Sequence, residues 1–198
     1  MENNTDLNKE ISFETFKKQV LEDYRIIVTS REASLLGRRE VLSGKAKFGI
    51  FGDGKELPQI ALAKVFQNGD FRSGYYRDQT FMMAIKELSI KQLFSGLYAN
   101  TNINEEPMSA GRQMGAHFNT PLLNSDGTWK KLIDHKNSSS DISCTGSQMP
   151  RLLGLAQASK LYRKLDFKNS KNFSKNGNEI AWGTIGNAST SEGVFFEV

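Results

Sequence analysis

The chain reads as an α/β protein in which amphipathic helices alternate with short apolar segments bounded by turn residues. Three observations carry that reading. From Ser12, a helix N-cap residue, Phe13, Phe16, Val20, Tyr24 and Ile27 recur at spacings of three and four. Phe71–Tyr76 and Asn178–Trp182 are short enough and apolar enough for buried strands. Finally, the second of these runs through Gly186, Asn187 and Ala188 to Ser189 and Glu192, which have capping-box spacing, with Val194 and Phe195 opening an apolar face. A strand that turns through small residues into a helix start presents free N–H groups and a positive dipole end, the geometry of an anion site.

Composition narrows the class. The 198 residues suit one domain or part of one, and 38% hydrophobic content with 13 Phe and 6 Met is enough for a core. The net charge of +4 is mild, and the Lys164–Lys175 cluster reads as a solvated loop in preference to a nucleic-acid patch. A single cysteine, Cys144, allows no internal disulfide and suits a reducing compartment. The N-terminus lacks a signal-peptide pattern, and no apolar run is long enough to span a bilayer. The expectation is a cytoplasmic protein with neither membrane nor nucleic acid among its partners.

Taken in order, residues 1–11 are polar and expected to be loose. The first helix runs from Ser12 towards Leu42 and stops at Ser43-Gly44. Phe48–Gly54 is a glycine-punctuated loop containing Asp53; Pro58 then suits the first turn of a helix carrying Ile60, Ala61, Val65 and Phe66, which Asn68-Gly69-Asp70 breaks. The strand Phe71–Tyr76 precedes a helix with Phe81, Met82 and Ile85, and Ser89/Gln92 form a capping box for another with Leu93, Phe94 and Leu97. Asn100–Pro107, Gly111–Phe118 and Thr120–Ser140 read as loops, the last with turn chemistry at Ser125-Asp126-Gly127. Ser147 as cap and Pro150 in the first turn open a helix whose buried side is Leu152, Leu153, Ala156, Leu161 and Leu165. A polar connector, residues 166–177, leads to the closing strand.

Four segments together resemble the alpha part of the thiamine-diphosphate-dependent 2-oxoacid dehydrogenases, their decarboxylating component. Tyr75-Tyr76-Arg77-Asp78 is similar to that family's Tyr-Arg-Asp/Glu motif, and Gly111–His117 to its Gly-Arg-Gln-Met segment. Ser143–Pro150 resembles Ser-Pro-x-x-Thr-Gln-x-Pro, and Gly186–Glu197 resembles the Gly-Asp-Gly-x-x-Ser-Glu-Gly cofactor motif. Their order across residues 48–198 makes the match specific where any one alone is weak.

The resemblance implies a thiamine-diphosphate-binding fold, a parallel sheet flanked by helices, with thiamine diphosphate and Mg as cofactors. Tyr76 and Arg77 fall at the diphosphate positions; from the residues alone, the rival reading pairs Arg77 with Asp78. Ser143 and Thr145 fall at positions that hold the aminopyrimidine ring, and Ser147 and Gln148 at those that bind a potassium ion. Gly186 and Ala188 fall at the backbone approach to the diphosphate, and Asn187 at the Mg ligand. Departures are present: Cys144 replaces a proline, Thr145 an aliphatic residue, and Gly186-Asn187-Ala188 a Gly-Asp-Gly. Asn187 offers an amide oxygen without a charge, and Ala188 narrows the backbone approach. His117 reads as a hydrogen-bonded structural histidine, and Phe51 with Gly52-Asp53-Gly54 as a substrate-side loop.

The function implied is oxidative decarboxylation of a 2-oxoacid, the cofactor supplying the carbanion chemistry, with the acyl group passed to a lipoyl-bearing acyltransferase. The partners implied are a beta part or subunit, that acyltransferase and the 2-oxoacid. Residues 1–47 are expected to be a helical region, and 48–198 a partial cofactor-binding domain, C-terminally truncated inside the cofactor motif and inactive by itself. A transketolase-like enzyme and a non-catalytic interaction module of the same fold are the alternatives.

Overall fold

A computed structural model describes residues 11–165 and 167–198; residues 1–10, expected to be loose, and Asp166, in the expected connector, lie outside the described residues. Helix α1, Phe13–Leu42, forms where the spacing predicts it, and Ser12 Oγ accepts from the backbone N–H of Thr15. The stripe that predicts it stays in solvent, with Phe13 73%, Phe16 51% and Tyr24 63% exposed. The helix docks instead through small residues of its second half, Ser30, Ala33, Ser34 and Gly37. Gln79 donates from Nε2 to Ser30 and Ser34 there, and Phe51 lies so close to Gly37 that a Cβ would come within 2.4 Å of its ring. Close approach of the backbones is what those small residues permit.

Helix α2, Glu56–Val65, has Pro58 in its first turn and is tied to α1 by the Arg31–Glu56 and Lys64–Asp23 ion pairs. Strand β1, Phe71–Ser73, is shorter than its apolar run, because Tyr75–Arg77 leave the sheet in a turn closed by Asp78 N–H to Tyr75 O. Helix α3, Gln79–Ala84, follows, and then α4, Ile90–Leu97, which carries the full Ser89/Gln92 capping box. The core gathers Phe66, Phe81, Met82, Ile85, Leu88, Leu93 and Phe118 around Ala33 of α1, with the Phe66 and Phe81 rings edge to face at 5.1 Å.

The segment 120–140 is not wholly a loop. It holds a short 3-10 turn, Leu132–Asp134, and strand β2, Asn137–Ser138. Helix α5, Gln148–Tyr162, follows. Strand β3, Ala181–Gly183, closes a parallel sheet of order β2-β1-β3, with Arg72 beside Ser138 on one side and Trp182 on the other. Three expectations are corrected. Ser147 sits at the α5 N-cap in helical geometry and caps nothing with its side chain. Leu153, Ala156, Leu161 and Leu165 are exposed, since α5 meets the sheet through Gln148, whose carbonyl accepts from Ser73, and through Leu152, which lies against Gly183. The Ser189/Glu192 box does not form: residues 187–191 are a 3-10 turn, and α6, Gly193–Phe196, starts only after an extended Glu192. Asn, Ser, Thr and Gly are poor helix formers, and Thr190 bonds back to the Asn187 carbonyl instead. Among the described residues no helix is long and apolar enough to cross a membrane.

Candidate cofactor site

Because the three strands are parallel, the loops that leave them emerge at one edge of the sheet. Gly74–Asp78 leaves β1, Ser139–Ser147 leaves β2 and Thr184–Glu192 leaves β3. The carboxyl edge of such a sheet is where ligands of open α/β proteins bind. Three of the four resembling segments begin there, and the fourth, around Gly111–His117, is brought to them by side chains.

In the first loop, Tyr75 is buried and Tyr76 half-buried, with ring centroids 5.3 Å apart. Burial, with the Asp78 charge adding to it, pushes the Tyr75 phenol up to about 12, so it remains neutral. Tyr76 stacks on His117 at 6.5 Å between centroids. Arg77 lines a cleft of about 330 Å³ with Arg38, Gly49, Ile50 and Phe51, so the two motif residues border different neighbours. The pairing of Arg77 with Asp78 is not found: Asp78 is bound to the buried Arg72 at 2.7 Å. Among the described residues no carboxylate pairs with Arg77.

In the second loop, Ser143, Cys144 and Thr145 are exposed. The Ser143 hydroxyl lies 2.7 Å from His117 Nε2, whose other ring nitrogen faces the Gly115 carbonyl at 3.3 Å. Both ring nitrogens of His117 are therefore engaged, in keeping with the hydrogen-bonded histidine expected from the sequence. Gly146 is where the second and third loops touch: a Cβ there would stand 2.9 Å from Val194 and 3.8 Å from the Ser189 carbonyl. Ser147 is half-buried. Gln148 is 2% exposed and braces the edge, donating from Nε2 to Thr184 O while its own carbonyl accepts from Ser73 Oγ.

In the third loop, Gly186 faces the Tyr75 ring, 3.6 Å from where its Cβ would be, and Asn187 and Ala188 are exposed. The sequence-predicted residues Tyr76, Ser143, Gly186 and Gln148 therefore belong to one contiguous edge, with Thr145, Asn187 and Ala188 on its open side. The Phe51–Gly54 loop lies next to it: a Cβ on Gly52 would meet the Arg77 carbonyl at 2.3 Å, and Asp53 pairs with Arg38. Among the described residues no group of three or more His, Cys, Asp or Glu side chains could hold a metal ion.

Under this edge lies a cluster that reading the sequence misses. Arg72, 0% exposed in the middle of β1, contacts Asp78, Asp141 and Ser138. Thr184 donates to Asp78, and Phe118 N–H to Asp141. Burial pushes the Asp141 carboxyl up, opposed by Arg72 and reinforced by Asp78. An arginine in a strand reads as solvent-facing, so only three-dimensional proximity to the two acids exposes it. Glu106 is another: buried at 3%, it accepts from the backbone N–H groups of Met108, Ser109 and Gly111 and pins the turn that opens the Gly111–His117 segment.

A family model for the dehydrogenase E1 component matches residues 25–198, which takes in every strand and most of α1. The chain belongs to the dehydrogenase E1 component family. No curated protein shows a significant match to it. The E1 family is thiamine-diphosphate-dependent and works on 2-oxoacids in a complex with other subunits and an acyltransferase. The small parallel sheet flanked by helices agrees with the cofactor-binding fold of that family.

The donor set of the edge fits that cofactor. The Tyr76 phenol is half-buried there and Ser143 and Thr145 are exposed, while the Arg77 guanidinium, without a carboxylate partner among the described residues, borders the adjoining cleft; these are donors a diphosphate and an aminopyrimidine accept from.

Proposed function

We propose that this chain supplies the diphosphate-binding side of the cofactor site in a thiamine-diphosphate-dependent 2-oxoacid dehydrogenase. The observation that carries the reading is the convergence of the Tyr76, Ser143 and Gly186 loops at the carboxyl edge of one parallel sheet. Tyr76 and Arg77 hold the phosphates by a phenol O–H and a guanidinium. Ser143 and Thr145 contact the aminopyrimidine. Gly186 and Ala188 would bring the backbone close to the diphosphate, and Asn187 would offer its amide oxygen to Mg. Ser147 and Gln148 supply oxygens to a potassium ion.

When bound, the cofactor supplies the carbanion chemistry that releases carbon dioxide from the 2-oxoacid. The chain's own part is to bind and orient it; a beta part or subunit completes the pocket, and a lipoyl-bearing acyltransferase takes the acyl group. Residues 48–198 then carry the cofactor-binding segments, and the enzyme works in the cytoplasm. Because the resemblance assigns the residue that activates the aminopyrimidine to the beta part, decarboxylation by this chain alone is expected to be undetectable.

Calorimetric titration with thiamine diphosphate and Mg tests the reading, with unphosphorylated thiamine as the control. The expected result is binding of the diphosphate form that weakens by about tenfold or more in Arg77→Ala, the loss of one charge-assisted phosphate contact. Equal binding of both forms, or none, rejects it; no binding favours the non-catalytic interaction module.

A further inference from the structure

Arg72 plays no part in the cofactor reading, yet its contacts reach every loop that does. Its Nε and Nη2 donate to Asp78 Oδ2 at 2.9 and 2.7 Å, and Nη2 also to the Tyr75 carbonyl at 3.1 Å. Those residues bracket Tyr76 and Arg77. Its Nη1 donates to Ser138 Oγ at 2.6 Å and stands 3.0 Å from Asp141 Oδ1, two residues before Ser143. Asp141 in turn accepts from Phe118 N–H at 3.1 Å, the residue after His117. The third loop joins through Thr184, whose hydroxyl donates to Asp78 two residues before Gly186. Gly74 makes the arrangement possible, since a Cβ there would lie 2.1 Å from the guanidinium.

Stability alone does not account for this composition. A buried ion pair rarely beats well-packed apolar residues, and two carboxylates against one guanidinium leave an excess charge. Each acid keeps one buried oxygen, Asp78 Oδ1 and Asp141 Oδ1, without a hydrogen-bond partner among the described residues. The second acid is explained once each carboxylate is assigned a different loop to hold.

We propose that the Arg72–Asp78–Asp141 cluster sets the register of the three cofactor-facing loops, making Arg72 a positioning residue for thiamine diphosphate. The cofactor half of that statement rests on the function proposed above; the coupling of the loops does not.

Two variants test it in the full chain. Asp78→Ala leaves one guanidinium against one carboxylate, and Thr184→Val keeps both charges while removing the tie to the third loop. Cys144, exposed in the second loop, is a native reporter through its rate of alkylation by iodoacetamide. Both variants are expected to keep the wild-type circular dichroism spectrum while Cys144 reacts several-fold faster. Thiamine diphosphate affinity should fall by about tenfold, as when a supporting partner of a ligand-binding group is removed. If Asp78→Ala does not fold, Thr184→Val decides. Unchanged Cys144 reactivity in a folded variant overturns the proposal, even if affinity falls, because the effect then stops at the mutated loop. A wild type that binds no cofactor while Cys144 still responds in the variants retires the cofactor reading and upholds the coupling.

Discussion

Gly74 is the smallest residue with the largest consequence, because the Arg72 side chain folds back over it. Gly74→Ala forces the guanidinium off its acids and is expected to cost about 2 kcal/mol by overpacking, read as a lower midpoint in urea unfolding. Glu106 gives a second residue-scale test. Burial pushes its carboxyl up, but the N–H groups of Gly111, Ser109 and Met108 and the Ser109 hydroxyl outweigh that and hold it below the usual 4.5. A lowered carboxylate stabilises the fold above its unfolded value and loses that contribution as pH falls through the folded one. Glu106→Gln should therefore cost about 2 kcal/mol at neutral pH, a gap that closes as the wild type is acidified below 4.5. Asp141 works in the opposite sense: its raised value contributes most below 3.8, and the contribution is lost as pH rises. Neither acid was legible in the sequence, where each reads as an ordinary surface charge.

Elements were legible where local chemistry decides them. The α4 capping box is such a case, since Ser89 accepts from Gln92 N–H and Gln92 reaches back to Ser89 N–H within four residues. Ser89→Ala is expected to cost about 1 kcal/mol, measurable by chemical denaturation. Helix α1 was found by its apolar period, although that stripe is exposed and the docking face is made of serine, alanine and glycine. Period marks the conformation; the partner selects the face. Strand β2 was missed for the opposite reason. Asn137 and Ser138 are buried polar residues, and Asn137 is held by carbonyls of Asp70, Leu132 and His135, so no hydrophobic alternation announces a strand. The end of the chain misled because capping-box spacing was present while the residues between favour a 3-10 turn.

At the scale of the molecule, the topology explains how the resembling segments come together. Three segments far apart in sequence become neighbours because β1, β2 and β3 run in parallel and release their loops at one edge, and the fourth, Gly111–His117, joins them through the contacts of His117 with Tyr76 and Ser143. The sequence suggested the parallel sheet and the convergence; it did not reveal the buried Arg72 cluster that joins the loops underneath, because such contacts span up to 106 positions in the chain. The proposed function makes this edge a diphosphate cradle. Crystals of the chain grown with thiamine diphosphate and Mg put that to the test: the diphosphate is expected among Tyr76-Arg77, the Ser143 loop and the Gly186 turn. Diphosphate density anywhere else on the molecule would contradict it.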